Sequence, residues 1–263
     1  MGGRGQRPEQ EWVYGMHPVG ETLEVDPEGA TLLRISGRRQ RGAEALLERA
    51  SALGVAVEHV EPRVLDAMCE GGNHQGVALR VKPYKYAELG AWIGSLGADQ
   101  AAVVVVLDEV QDPANLGAVL RTAAAVGVGA VVIPDRRAAS VTPAVVRASA
   151  GVARRVRVCQ VGNLSRELGR LKEAGFWVTG AVARGGVSPW EVDLCGRVVL
   201  VMGSEGRGVR RLVEEGCDHR VTIPLVGGVE SLNVSAAAAM MMYEVVRQRG
   251  GAPGIGRGAL EGA

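Results

Sequence analysis

The run Val103-Val104-Val105-Val106-Leu107 constrains this chain more than any other segment. Five consecutive apolar residues, four of them β-branched, suit a strand covered on both faces. Strands of that kind occur almost only in parallel sheets flanked by helices. The sequence after it alternates in the same sense. An apolar helix runs from about Leu116 to Val126, followed by a strand at Val131–Pro134. Thr142-Pro143 opens a helix, with Thr as cap and Pro at the first position, and Val156–Val161 is the next strand. Asn163 caps a helix that ends near Gly175. Trp177–Val182, Val198–Met202 and Arg220–Leu225 are further strands, and Asn233–Arg247 is a long final helix. This alternation predicts an open α/β sheet over residues 101–249, and ligands bind such sheets beyond the carboxyl ends of the strands.

The 263 residues leave room for a second domain. Residues 12–82 alternate a helical stretch, Arg41–Leu53, with strand-like runs at Thr31–Ile35, Val55–His59 and Gly76–Val81, which predicts a small α/β domain. Residues 83–100 read as a linker with room for one helix. Residues 1–11 and 250–263 are Gly-rich without apolar periodicity, and are expected to be disordered. The amino-terminal stretch lacks the apolar core of a signal peptide, and no window approaches the ~20 apolar residues that span a bilayer. Cys69, Cys159, Cys195 and Cys217 lie far apart with no Cys-x-x-Cys pair, and the four histidines show no ligand spacing. No metal and no disulfide framework is therefore expected, and a reduced cytoplasm fits best.

Three loops fall at the predicted strand ends. The first is Asp108 to Gly117, leading into a helix that carries Arg121. The second is Gly203-Ser204-Glu205-Gly206-Arg207-Gly208, and the third is Gly227 to Asn233. Glycines in the second let a ligand approach backbone N–H groups closely. Its order is Gly-x-x-Gly-x-Gly rather than Gly-x-Gly-x-x-Gly, and the chain contains no phosphate-binding Gly-x-x-x-x-Gly-Lys-Ser/Thr. Taken alone, the loop is equally an ordinary strand-to-helix turn.

Together the three loops are far more specific. Asn115-Leu116-Gly117-Ala118-Val119-Leu120-Arg121-Thr122-Ala123 resembles the first motif of the SpoU (TrmH-like) branch of the SPOUT superfamily, which are RNA 2′-O-methyltransferases. Leu200 to Gly208 resembles the second motif, and Ile223-Pro224 through Ser231-Leu232-Asn233-Val234-Ser235 the third, in family order and spacing. In the first block, Val13-Tyr14-Gly15-Met16-His17-Pro18-Val19 and Asn73-His74-Gln75-Gly76-Val77-Ala78 resemble the ends of a ribosomal-protein-L30e-like substrate domain. That domain accompanies bacterial enzymes that modify a guanosine of 23S rRNA.

The resemblance implies a carboxyl-terminal SPOUT domain with a deep trefoil knot, a homodimer, and S-adenosyl-L-methionine as cofactor. By position, the backbones of Gly203, Ile223 and Leu232 would hold its adenine and ribose. Arg121, on an otherwise apolar helix, would engage the ribose 2′-OH or a phosphate; as a plain surface group it would merely snorkel. Arginine is too basic to be a ready proton acceptor, so charge stabilisation is the expected role. Asn115 would anchor the first loop, or else cap its helix, and Glu205 would pair with Arg121 or Asn115. Ser231 and Asn233 would position substrate and cofactor, with Asn233 also a candidate cap. The basic cluster Arg34, Arg38, Arg39 and Arg41 is the candidate RNA contact, although a formal charge of +1 gives no general basic excess.

Other substrates stay open: a tRNA guanosine, or the rRNA adenosine of thiostrepton-resistance enzymes. A dinucleotide-dependent oxidoreductase lacks the fingerprint and the ribose-binding acid about 20 residues on. A catalytically silent RNA-binding module would not need Asn115, Arg121, Glu205 and Asn233 together.

Overall fold

The computed structural model describes residues 11–37, 43–69 and 71–250, which form two compact units. The first comprises the described residues up to Lys85 together with Ser140–Arg155. Its elements are β1 (Glu11–Tyr14), α1 (Met16–Val25), β2 (Ala30–Ser36), α2 (Ala43–Ala52), β3 (Ala56–Val60), α3 (Pro62–Met68) and β4 (Val77–Val81). The sheet order is β1-β4-β2-β3, with β4 antiparallel to both neighbours and β3 parallel to β2 at an edge. β1 escapes a pattern search because it is four residues long and only Val13 is buried.

The segment Ser140–Arg155 joins this unit through charge as well as packing. Arg154, with its side chain almost fully buried, pairs with Asp26, and Arg155 pairs with Glu21 at 2.8 Å. The helix here, α6 (Pro143–Ala148), begins at Thr142 as expected, but the Thr142 side chain makes no capping hydrogen bond.

The second unit is a six-stranded sheet whose paired strands are all parallel. In chain order its strands are β5 (Ala102–Asp108), β6 (Ala130–Pro134), β7 (Val158–Val161), β8 (Trp177–Ala181), β9 (Arg197–Gly203) and β10 (His219–Val221). Counting helices along the whole chain, it holds α4 (Leu89–Gly94), α5 (Pro113–Val126), α7 (Leu164–Glu173), α8 (Arg211–Glu214) and α9 (Val234–Arg249). The spatial order is β10-β8-β9-β5-β6-β7. Every residue of β5 is buried, as its unbroken apolar run requires. Val104 and Val106 join Leu164, Leu168, Leu171 and Phe176 in one core layer. The alternate residues Val103, Val105 and Leu107 face the opposite side. There α5 and α9 pack together, with α9 against β9.

Two element boundaries correct the sequence-based expectation. The strand expected at Arg220–Leu225 ends at Val221, because its partner β8 ends at Ala181 and Pro224 has no N–H to continue a ladder. The segment it frees becomes part of a long loop in which Val226 is fully exposed. Helix α5 starts at Pro113 rather than Leu116, because Asp112 caps it through Ala114 N at 2.9 Å.

Candidate active site

The sheet order sets the carboxyl ends of β8, β9 and β5 side by side, and two cavities open there. The first, of about 380 Å³, lies under the loops after β8 and β9 and before α9. Gly203, Glu205, Ile223, Ser231 and Leu232 all line it. The second, of about 400 Å³ and more polar, lies on the β5 side, lined by Glu109, Gln111, Asp112, Asn115 and Arg207. Ser204, Glu205 and Val234 belong to both walls, so Glu205 stands where the two spaces meet.

The loop after β9 is a tight closed turn. Ser204 N donates to Gly208 O at 3.1 Å and Gly208 N to Ser204 O at 2.9 Å, with Gly206 and Gly208 at φ of 81° and 66°. Gly203 is required for another reason: a Cβ there would lie inside the backbone of Gly208 and Val209. The turn therefore closes only over a residue without a side chain.

A hydrogen-bonded cluster joins the three loops. Asn115 Nδ2 donates to Glu205 Oε1 at 2.6 Å. Asn233 Nδ2 donates to Glu205 Oε1 at 2.8 Å and to Asn115 Oδ1 at 2.9 Å. Asn233 also caps α9, its Oδ1 accepting from Ser235 N at 2.8 Å and Ser235 Oγ at 2.6 Å. Both roles weighed for Asn233 thus coexist. Asn115 is no cap, since Asp112 takes that position and leaves its amide, buried in the first turn, free for Glu205. Glu205 pairs with Asn115, not Arg121. Its Oε1 is shared by two amides, which leaves Oε2 without a protein donor among the described residues.

Arg121 stands outside this cluster. It is exposed on α5, lines neither cavity, and has no hydrogen-bond or ion-pair partner among the described residues. In the first unit, Arg34 is already engaged: its Nε donates to Glu58 Oε2 at 2.8 Å and its guanidinium lies 5.0 Å over the Trp12 ring. Arg38, Arg39 and Arg41 lie outside the described residues.

Sequence patterns missed the charged support beneath the site. Asp108, wholly buried at the end of β5, accepts from Arg210 N at 2.8 Å and Arg210 Nε at 2.7 Å, and Arg210 Nη2 lies 2.7 Å away. Next to it, Glu109 holds a left-handed φ of 60°. The guanidinia of Arg210 and Arg137 stand 3.2 and 3.5 Å from Glu109 Oε1, at angles that leave that buried oxygen without a hydrogen bond. The ion pair with Arg210 is electrostatic only. A carboxylate closing a buried strand must find a donor, and that rule alone marks Asp108 as partnered. Arg210→Met would leave its charge uncompensated, and should lower the unfolding free energy by about 3 kcal/mol. Arg211→Met, at an exposed helical pair with Glu215, should lower it by less than about 1 kcal/mol. Urea denaturation of the two variants measures the difference; equal midpoints would show that the Asp108–Arg210 contact does not hold the loop.

Burial pushes the Cys159 and Cys217 thiols up to about 11, so neither supplies a thiolate at neutral pH. Among the described residues, no group of three or more His, Cys, Asp or Glu could hold a metal ion, and no helix is long and apolar enough to cross a membrane.

Residues 102–243 match the SpoU rRNA Methylase family, and residues 12–87 match the RNA 2′-O ribose methyltransferase substrate-binding family. The chain is 37% identical to the 23S rRNA (guanosine-2′-O-)-methyltransferase RlmB of Vibrio vulnificus, over 91% of this chain and 97% of that protein. An uncharacterized tRNA/rRNA methyltransferase of Synechocystis sp. is 40% identical over 90% of this chain, which spans 62% of that longer protein. Among solved structures, the SpoU methyltransferase AviRb of Streptomyces viridochromogenes, in complex with the cofactor AdoMet, superposes with a TM-score of 0.77. At 22% identity, over 94% of each chain, it supports the fold alone.

Proposed function

The chain belongs to the SpoU rRNA Methylase family, and from that premise we propose that it transfers a methyl group from S-adenosyl-L-methionine to the ribose 2′-OH of a guanosine in 23S rRNA. The observation that carries this reading is the Asn115–Glu205–Asn233 cluster, set between two cavities of nucleoside size. The first cavity fits the cofactor. It offers glycine backbone at Gly203, Gly206 and Gly208 and apolar walls at Ile223 and Leu232, as a neutral adenine requires. The polar second cavity receives the target nucleotide.

The cofactor supplies a methyl group already activated on a sulfonium, so the protein's work is positioning and charge control. Glu205 Oε2 accepts a hydrogen bond from the 2′-OH and aims its oxygen at the first cavity. The Asn115 and Asn233 amides fix Oε1 and so lock the carboxylate's orientation. Ser231 orients substrate and cofactor. Arg121 stabilises the developing alkoxide, and the proton leaves to phosphate or water. An Arg121 that is exposed and outside its own cavities fits delivery across a homodimer, with α5 and the exposed Met240 and Tyr243 of α9 at the seam.

The finer architecture belongs to the same proposal: a trefoil knot in the carboxyl-terminal part, and an L30e-like first domain over residues 12–82, followed by a stretch at 83–100 in which α4 already packs on the second unit's core. The order β10-β8-β9-β5 supports the knot, since β9 lies between strands that precede it in sequence. RNA contact falls to Arg38, Arg39 and Arg41, since Arg34 is spent on Glu58 and Trp12. Action on rRNA in the cytoplasm fits a chain with these matches.

Parallel methylation of 23S rRNA and tRNA transcripts tests the substrate. Incorporation into 23S rRNA alone is expected. Incorporation into tRNA alone, or into an rRNA adenosine, would replace the guanosine assignment.

A further inference from the structure

Two charged side chains lining the first cavity take no part in the chemistry derived above. Arg184 follows β8, and Glu230 stands one residue before Ser231. Both line the cavity, both are exposed, and neither has an ion-pair or hydrogen-bond partner among the described residues, including each other. Elsewhere on this unit opposite charges do pair: Arg211 with Glu215, Lys172 with Asp218 and Arg247 with Glu244. An opposite-signed set at one cavity with no protein partner is arranged for a ligand that carries both signs.

Resting on the cofactor assignment above, we propose that Arg184 binds the α-carboxylate of the cofactor's methionine tail and that Glu230 binds its ammonium group. The two ends of this ligand differ in what they require. The adenine is neutral and suits the glycine and apolar walls at Gly203, Ile223 and Leu232. The amino-acid tail carries two fixed charges whose burial without partners is costly, so it takes the part of the cavity where Arg184 and Glu230 reach solvent. The planar guanidinium of Arg184 offers a carboxylate two parallel N–H donors, a geometry that lysine cannot match. The methyl-bearing centre then lies between tail and adenine, beside Glu205 on the shared wall of the two cavities.

Calorimetric titration with two product analogues separates this assignment from the one beneath it. S-Adenosyl-L-homocysteine has the complete tail, and 5′-deoxy-5′-methylthioadenosine keeps adenine, ribose and sulfur but lacks both charges. Arg184→Gln should weaken S-adenosyl-L-homocysteine about tenfold and leave methylthioadenosine unchanged, and Glu230→Gln should do the same. Arg184→Lys should recover only part of the loss. Equal weakening of both compounds would show that Arg184 shapes the loop, not the tail site, and overturn the proposal. So would unchanged affinity for both, with the cofactor assignment intact. A wild-type chain that binds neither compound would remove the cofactor assignment and the tail site together.

Discussion

Gly203→Ala abolishes S-adenosyl-L-methionine binding: that is the expected result, although a single methyl group is the smallest change that can be made there. A Cβ at Gly203 falls inside the Gly208 and Val209 backbone, not against a side chain that could swing aside. The turn is closed by reciprocal hydrogen bonds between Ser204 and Gly208, so it cannot yield at one point without opening. Opening it displaces Glu205 and the backbone that faces the first cavity. The affinity loss should exceed about a hundredfold, since several backbone contacts go together. Gly203 closes β9 opposite Asp108, so the disturbance reaches only the last rung of the sheet and circular dichroism should stay close to native. Gly206→Ala is the informative comparison. A Cβ at Gly206 meets nothing, and only its φ of 81° resists substitution. That variant should bind with a modest loss, of the order of the ~1 kcal/mol that αL costs a residue with a side chain. Calorimetric affinity for Gly203→Ala within threefold of wild type would show that the turn does not hold the cofactor.

Arg121→Ala should separate catalysis from binding. Arg121 lines neither cavity and has no hydrogen bond or ion pair with the Asn115–Glu205–Asn233 cluster, so cofactor affinity should stay near wild type. Turnover should fall about 100- to 1,000-fold, the usual effect of removing a donor aimed at developing charge. Arg121→Lys should recover little, because an ammonium cannot engage a ribose oxygen and a phosphate through one planar fork. Mixed dimers test delivery across the subunit interface. Arg121→Ala and Glu205→Gln chains, each inactive alone, should regain activity when mixed if each active site draws Arg121 from one chain and Glu205 from the other. Full turnover by Arg121→Ala would make Arg121 an ordinary surface group, and near-full turnover by Arg121→Lys would reduce its role to a point charge.

The sequence made the sheet legible where strands are buried on both faces, since β5 from Ala102 to Leu107 and β9 from Val198 to Met202 are wholly apolar. Asn163 was legible as a cap, and its side chain accepts from Arg166 N at 3.0 Å. The boundary at Val221 was not, because the apolar run continues past the end of the strand that would have paired with it. Ser140–Arg155 could not be placed with the first unit from local pattern, as its tie is the pairing of Arg154 with Asp26, far away in sequence. At the site, the three motifs showed which loops matter but not which contacts they make. Glu205 had two candidate partners, and only the position of α5 under Asp112's cap favours Asn115. Asp108 was legible as a buried carboxylate in need of a donor, but not that Arg210, 102 residues on, supplies it. Arg34 sat in a basic run that suggested RNA, while its own sheet supplies Glu58 as a cross-strand partner.

The central claim is a methyl group on a ribose oxygen of 23S rRNA. It is tested most directly by incubating unmodified 23S rRNA with the protein and methyl-deuterated S-adenosyl-L-methionine, then digesting the RNA to nucleosides for mass spectrometry. The expected product is guanosine carrying the deuterated methyl on its ribose, about one per rRNA molecule, formed about 100- to 1,000-fold more slowly by the Arg121→Ala chain. Deuterium on a base, or no deuterated nucleoside from a protein that binds the cofactor, would contradict the assignment.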